Sequence, residues 1–311
     1  MNKFKFIYLL WPLFLISCQT RTPAQAGPKL TCKGQAFSLN DINNHHSYNY
    51  HFNQLSEWIG PKRDNAKGVL LLLHGLNVRP SKMNSLGRFL NNNSLDVLRA
   101  SFAGHRGDKK EGENTTREIW LKEFQIHYCL AVERAEKLKV PLYFLGFSLG
   151  GILPYDFLHQ LKEQQSFKKA VLLAPAIRVH WYSKIPSKLA WLGRGLRLPS
   201  RNLAAYRSQK TTPLGLYRAM ADAKNSMDKP QRELINFPTL ILIDPKDELV
   251  SSKKLEKMIK KFRLNNWQLE YISNKLTEHD PSFHHLVIDS PSLGRVEWTR
   301  VLERISRHLS F

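Results

Sequence analysis

The chain has 311 residues, 42% apolar and 23% charged, which excludes a disordered or fibrous protein and sets one or two domains as the expectation. No apolar stretch is long enough for a spanning helix, and three cysteines without a CxxC spacing exclude a disulfide-stapled or zinc-ribbon scaffold. Lys and Arg number 47 against 26 Asp and Glu, a formal charge of +21 that bears on solubility and partners, not on fold.

Met1 to Lys5 carries two lysines and no acid, and Phe6 to Ile16 is an apolar run of 11 residues, the shape of a secretory signal. Leu15-Ile16-Ser17-Cys18 resembles a bacterial lipobox, although Pro12 inside the apolar run departs from the pattern. The resemblance implies removal of residues 1–17 and acylation of Cys18. Gln19, which is not Asp, then implies the periplasmic side of the outer membrane. Loss of Lys3 and Lys5 takes the charge from +21 to +19. Thr20 to Lys29 is small, polar and proline-containing, so residues 18–44 read as a tether and 45–311 as the folded domain. Cys32 and Cys129 can pair in an oxidising compartment, but Cys129 falls in a helical pattern where a buried free thiol is the plainer expectation.

Along the domain, strand and helix patterns alternate. Ser47 to Phe52 alternates polar and aromatic residues as a half-exposed strand does. Val69 to Leu73 is a continuous apolar run, suited to a strand covered on both faces. Leu95 to Phe102 reads as a third strand. Thr115-Thr116-Arg117-Glu118 fits a capping box opening a helix through Leu138. Pro141 to Leu145 is another buried strand, followed by a helix from Ser148 toward Gln164 that Pro154 is expected to kink. Ala170 to Ala174, Phe237 to Ile243 and Trp267 to Ile272 are further strands, and a helix near Val296 to Leu309 closes the chain. This order predicts an α/β fold with a mainly parallel sheet and helices on both faces. Arg178 to Arg218 breaks the alternation with nine Arg or Lys and no Asp or Glu, so residues 178–222 read as an inserted cap. Leu189, Leu192 and Leu196 recur there at helical spacing, interleaved with Lys188, Arg194, Arg197 and Arg201. Two readings stay open: a lid helix with solvated charges, or a basic surface that docks on anionic lipid.

The strongest chemical signal is Gly146-Phe147-Ser148-Leu149-Gly150, a G-x-S-x-G directly after an apolar strand. A sharp strand-to-helix turn lifts the serine hydroxyl off the sheet edge, and the glycines remove the Cβ clashes that turn creates. With Leu73-His74-Gly75-Leu76-Asn77 and Phe102-Ala103-Gly104-His105-Arg106-Gly107-Asp108, the motif resembles the α/β-hydrolase superfamily, nearest to carboxylesterases and monoglyceride lipases. The resemblance runs from about Ala66 to the C-terminus. It implies the α/β-hydrolase fold with an inserted cap, Ser148 as nucleophile, and an oxyanion hole from the N–H groups of Leu76 and Leu149. His74 and His105 are expected to be structural.

The same resemblance orders the remaining partners as acid, then histidine. Asp247, with Val250 three residues on, fits the acid; Asp244 at the strand end is the alternative. Beyond Asp247 lie His279, His284, His285 and His308. His308 sits in a last helical turn, a favourable place for a plain cation. His285 directly precedes Leu286-Val287-Ile288 and is preferred as base, with His284 as the alternative. No HExxH or H-x-x-x-H spacing points to a metal, and the expected chemistry needs no cofactor.

The expectation is therefore a lipid-anchored serine hydrolase of small carboxylic esters in the bacterial envelope. Thioesterase, amidase or acyltransferase chemistry on the same triad, and an inactive binding homologue, remain alternatives. Nucleic acid is not an expected partner, since the export signal opposes it and no recognition motif accompanies the charge.

Overall fold

In a computed structural model of the chain, residues 30–43, 52–162, 167–273 and 283–311 are described. The signal peptide, Cys18, His279 and most of the tether lie outside these residues. So does the expected strand at 47–52, except that Phe52 opens a 3-10 turn ending at Gln54.

The strands are β1 (Glu57–Ile59), β2 (Gly68–Leu73), β3 (Leu95–Arg99), β4 (Leu142–Phe147), β5 (Lys169–Leu173), β6 (Arg197–Pro199), β7 (Thr211–Pro213), β8 (Thr239–Ile243) and β9 (Trp267–Tyr271). Seven of them form one sheet in the order β1-β3-β2-β4-β5-β8-β9. Only β1 runs antiparallel, against β3; every other pair is parallel. Every residue of β2 and β4 is buried, as strands covered on both faces by helices require. The chain passes from β2 to β3 on one side and returns to β4 on the other. Loops leaving β2 and β4 therefore diverge and leave a crevice at their carboxyl ends, where open α/β sheets place ligands.

Three helices depart from the sequence expectation. The helix Arg117–Leu138 is capped by Thr116, whose side chain accepts from the Ile119 N–H at 3.3 Å, not by the expected box starting at Thr115. Thr115 turns inward and donates to the Glu111 carbonyl at 2.7 Å. After Ser148, the expected single helix is a 3-10 turn, Ser148–Gly151, followed by a separate helix Leu153–Leu158. Pro154 lies in the first turn of that second helix, where a missing N–H costs nothing, so it starts a helix where a kink was expected. The cap's leucines do not form one helix. A short helix Ile185–Lys188 passes into a 3-10 turn Leu189–Leu192 that ends at Gly193, with φ 142°, leaving Leu192 and Leu196 each 51% exposed.

The N-terminal segment is also not a free tether from Leu30 onward. Leu30 donates to the Gln160 carbonyl and accepts from the Lys162 N–H, both at 2.8 Å, and Ile42 is fully buried. Cys32 and Cys129 are joined in a disulfide across a sequence separation of 97, which corrects the free-thiol expectation. Closing so long a loop restricts the unfolded chain, an effect of about 2–4 kcal/mol in the chain-entropy view.

Candidate active site

Ser148 sits at the carboxyl end of β4 with φ 51°, a left-handed conformation that costs a non-glycine residue energy and points its side chain away from the sheet. The glycines around it are dictated by close approach. A Cβ on Gly146 would stand 2.2 Å from the Gly150 carbonyl oxygen, and one on Gly150 would stand 2.6 Å from Leu73 Cβ. The elbow is tied to its neighbours by the Gly150 N–H donating to the His74 carbonyl at 3.1 Å and the Ala176 N–H to the Ser148 carbonyl at 3.0 Å.

The loop after β8 and the segment entering at Phe283 bring the other groups in. His285 Nε2 lies 2.9 Å from Ser148 Oγ, and His285 Nδ1 lies 2.8 Å from Asp247 Oδ2. The second Asp247 oxygen accepts from the Leu249 and Val250 N–H groups, both at 2.8 Å, which fixes the carboxylate's direction. Glu248 adds a grip by accepting the His285 backbone N–H at 2.9 Å. The two alternatives pair with each other: His284 Nδ1 lies 3.0 Å from Asp244 Oδ2, while the other Asp244 oxygen accepts from the Lys246 N–H at 2.7 Å. Two His–Asp couples thus run side by side, and the one built from Asp247 and His285 reaches the serine.

Burial alone would lower the His285 pKa, but the adjacent Asp247 carboxylate, its hydrogen bond and the nearby Glu248 charge outweigh it and hold the ring above its ordinary value. Asp247 lies on the Nδ1 side, so a neutral ring that donates from Nδ1 presents Nε2 as acceptor to the serine hydroxyl. Glu248 itself is pushed up, first by burial.

Leu76 lines the cavity that holds Ser148, and Leu149 is the second residue of the 3-10 turn Ser148–Gly151. The first N–H groups of such a turn have no partner within it. His74 is fully buried and its pKa is well below normal, first through burial and then through His105. Its Nδ1 faces the Gly75 carbonyl at 2.9 Å and its Nε2 accepts from the Phe102 N–H at 3.3 Å, so it braces the loop. Burial likewise takes His105 down to about 4, and its Nδ1 faces the Phe102 and Ala103 carbonyls. His308 is no plain cation, because burial and then Lys169 lower its pKa.

Sequence reading passed over two supporting features. Arg106, fully buried, reaches Glu111 at 2.6 Å, Glu123 at 2.7 Å and the Ser101 carbonyl at 2.8 Å. Those carboxylates also accept from Gly104 N–H at 2.7 Å and Ala103 N–H at 2.8 Å, locking the turn after β3. Asn77, at φ 51°, holds its Nδ2 2.9 Å from each of Ser200 Oγ, the Gln209 carbonyl and Thr212 Oγ1, and so joins the loop after β2 to the β6–β7 hairpin of the insertion. An asparagine following H-G-x was the available signal, since this residue tolerates the left-handed region.

The insertion roofs a cavity of ≈ 580 Å³ whose walls include Ser148, His285, Leu76, Ile185, Leu198 and Met220. Arg194 and Arg197, expected on a basic outer face, are engaged inward. Arg194 donates to the Glu113 and Thr115 carbonyls, and Arg197 pairs with Glu113 at 2.9 Å. Among the described residues no cluster of three or more His, Cys, Asp or Glu is placed to hold a metal.

Residues 64–212 match the sequence model of a family described as serine aminopeptidase, S33, a span that holds Ser148 and the Leu76 loop but ends before Asp247 and His285. No curated protein matches. Among solved structures, a soluble variant of monoglyceride lipase from Saccharomyces cerevisiae in complex with a substrate analog superposes with TM-score 0.66 at 15% identity, covering 89% of this chain and 96% of its own. One from a study of LipS and LipT, two metagenome-derived lipolytic enzymes, gives 0.63 at 16%, covering 85% and 100%. The monoacylglycerol lipase of Paleococcus ferrophilus gives 0.57 at 17%, covering 81% and 98%. At these identities the likeness speaks for the fold.

Proposed function

We propose that the chain, which has the α/β-hydrolase fold, hydrolyses small carboxylic esters through an acyl-enzyme on Ser148. The observation that carries this reading is the continuous path from Ser148 Oγ to His285 Nε2 at 2.9 Å and from His285 Nδ1 to Asp247 Oδ2 at 2.8 Å. His285 takes the serine proton as Ser148 attacks the acyl carbonyl. Asp247 holds the tautomer and stabilises the imidazolium. The N–H groups of Leu76 and Leu149 receive the oxyanion, and His285 then protonates the leaving alcohol. Water, activated by the same histidine, releases the acid. The mostly apolar cavity suits an acyl chain, and ester cleavage is supported by the lipolytic enzymes among the structures that share the fold.

Turnover of p-nitrophenyl esters of increasing acyl length tests the reading. The base must be neutral to act, so kcat/KM is expected to rise with pH. Because Asp247 and Glu248 hold His285 above its ordinary value, the midpoint is expected above the ordinary imidazole pKa of about 6.5. A flat profile across that range speaks against His285 as the base.

We further infer that the protein is anchored in the bacterial envelope through acylated Cys18, on the outer membrane's periplasmic side. The lipobox sequence alone supports this. Mass spectrometry of the membrane-extracted protein is expected to find an acylated N-terminus at Cys18; a soluble product starting elsewhere would refute it. Trp181 and Trp191, 71% and 81% exposed, together with exposed Lys184 and Lys188, support contact of the insertion with anionic lipid. Arg194 and Arg197, engaged elsewhere, do not belong to that surface.

A further inference from the structure

Among the described residues, no Asp or Glu lines the cavity that holds Ser148, and Arg201 is the permanent cation on its wall. The other arginines of the insertion that meet partners are committed: Arg178 to Asp228, Arg194 to backbone carbonyls, Arg197 to Glu113 and Arg218 to Asp222. Among the described residues no acceptor engages the Arg201 guanidinium. The residue is exposed, so its guanidinium is open to an incoming ligand. It lies close enough to the Tyr217 phenol, on the same wall, for its charge to act on that group, which burial first pushes up.

A second cavity of ≈ 380 Å³ adjoins the first, and His285, Arg201, Asn202 and Leu249 line both. His285 must pass its proton to the departing alcohol, so that alcohol lies on the histidine's side. Both cavities are mostly apolar. The larger has room for the acyl chain, and the smaller, where Arg201, Asn202 and Glu248 stand, offers polar groups to the alcohol. Arg201 stands at the junction, beside the path the alcohol takes. Among the described residues Glu248 is the one carboxylate there, and it accepts the His285 N–H at 2.9 Å.

We propose that Arg201 selects esters whose alcohol portion carries an anionic group, a phosphate monoester or a carboxylate, over neutral esters of the same acyl chain. This rests on Ser148 and His285 acting as proposed above. A guanidinium with no acceptor among the described residues, at the junction of the two cavities, gains charge-assisted hydrogen bonds from such a group, an effect of about tenfold in affinity. A neutral substrate leaves the cation unpaired.

The test compares 1-butanoylglycerol with 1-butanoylglycerol 3-phosphate, both monomeric in water, so attraction to a lipid surface plays no part. Ionic strength is held at 0.15 M, where long-range steering by the chain's overall positive charge is screened beyond about 8 Å. The wild type is expected to favour the phosphate ester at least about tenfold in kcat/KM, chiefly through KM. Arg201→Gln should collapse that ratio toward one, and Arg201→Lys should restore part of it. Lys253→Gln, at an exposed cation outside both cavities, should keep the wild-type ratio. A wild-type ratio near one, or a ratio that survives Arg201→Gln, overturns the inference while leaving Ser148-dependent hydrolysis standing. A ratio that falls equally in Lys253→Gln also overturns it, because general surface charge is then the source. Hydrolysis that persists in Ser148→Ala removes the underlying reading, and the inference with it.

Discussion

Replacing His285 with alanine is expected to lower ester turnover by several powers of ten, while His284→Ala keeps a measurable part. Groups that act as a unit lose nearly everything when either nucleophile or base is removed. His285 stands 2.9 Å from Ser148 Oγ, and His284 is directed to Asp244 at 3.0 Å. Loss of His284 should loosen the loop that carries His285, which reduces the rate without removing the base. Steady-state kinetics on both variants, with circular dichroism to verify folding, decides the matter. If His284→Ala is the dead variant, the two roles are exchanged.

Arg106→Leu is expected to cost about 3–5 kcal/mol of stability, because it strands two buried carboxylates without their counter-charge. Glu111 and Glu123 stand 2.6 and 2.7 Å from the guanidinium. Burial already raises the Glu123 pKa even with Arg106 beside it. A carboxylate whose folded pKa lies above its unfolded value penalises folding once the pH exceeds the unfolded value. Without Arg106 that penalty grows. The deficit should therefore be smallest near the ordinary carboxylate range, about pH 4–5, and largest at neutral pH. Urea unfolding at several pH values measures it; a deficit under about 1 kcal/mol at neutral pH would mean the cluster is not holding the turn.

Much of this architecture was legible in the sequence where one local cause decides the outcome. Val69 to Leu73 and Leu240 to Ile243 are apolar without interruption, which only strands buried on both faces require. Gly146 and Gly150 flank a serine after such a strand, and steric necessity leaves little else for them to be. The choice of Asp247 and His285 rested on spacing beside two close rivals, and the coordinates set both His–Asp couples side by side.

What could not be read depends on distant partners. Cys32 and Cys129 meet across 97 residues, where the segment after Leu30 lies against the helix Arg117–Leu138 and the Thr31 carbonyl accepts from Gln125 Nε2 at 2.7 Å. Nothing in the sequence around Arg106 marks its two carboxylates, which come from different helices. The cap misled through periodicity. Leu189, Leu192 and Leu196 match a helical face, but Gly193 at φ 142° breaks it, and Arg194 and Arg197 turn toward Glu113 and its neighbours.

Covalent trapping tests the central claim most directly. Purified protein treated with a fluorophosphonate at pH 8 and then measured by intact mass and peptide mapping is expected to carry one adduct, on Ser148, with none on Ser148→Ala. Equal labelling of the two proteins, or an adduct that maps to another residue, would contradict the account.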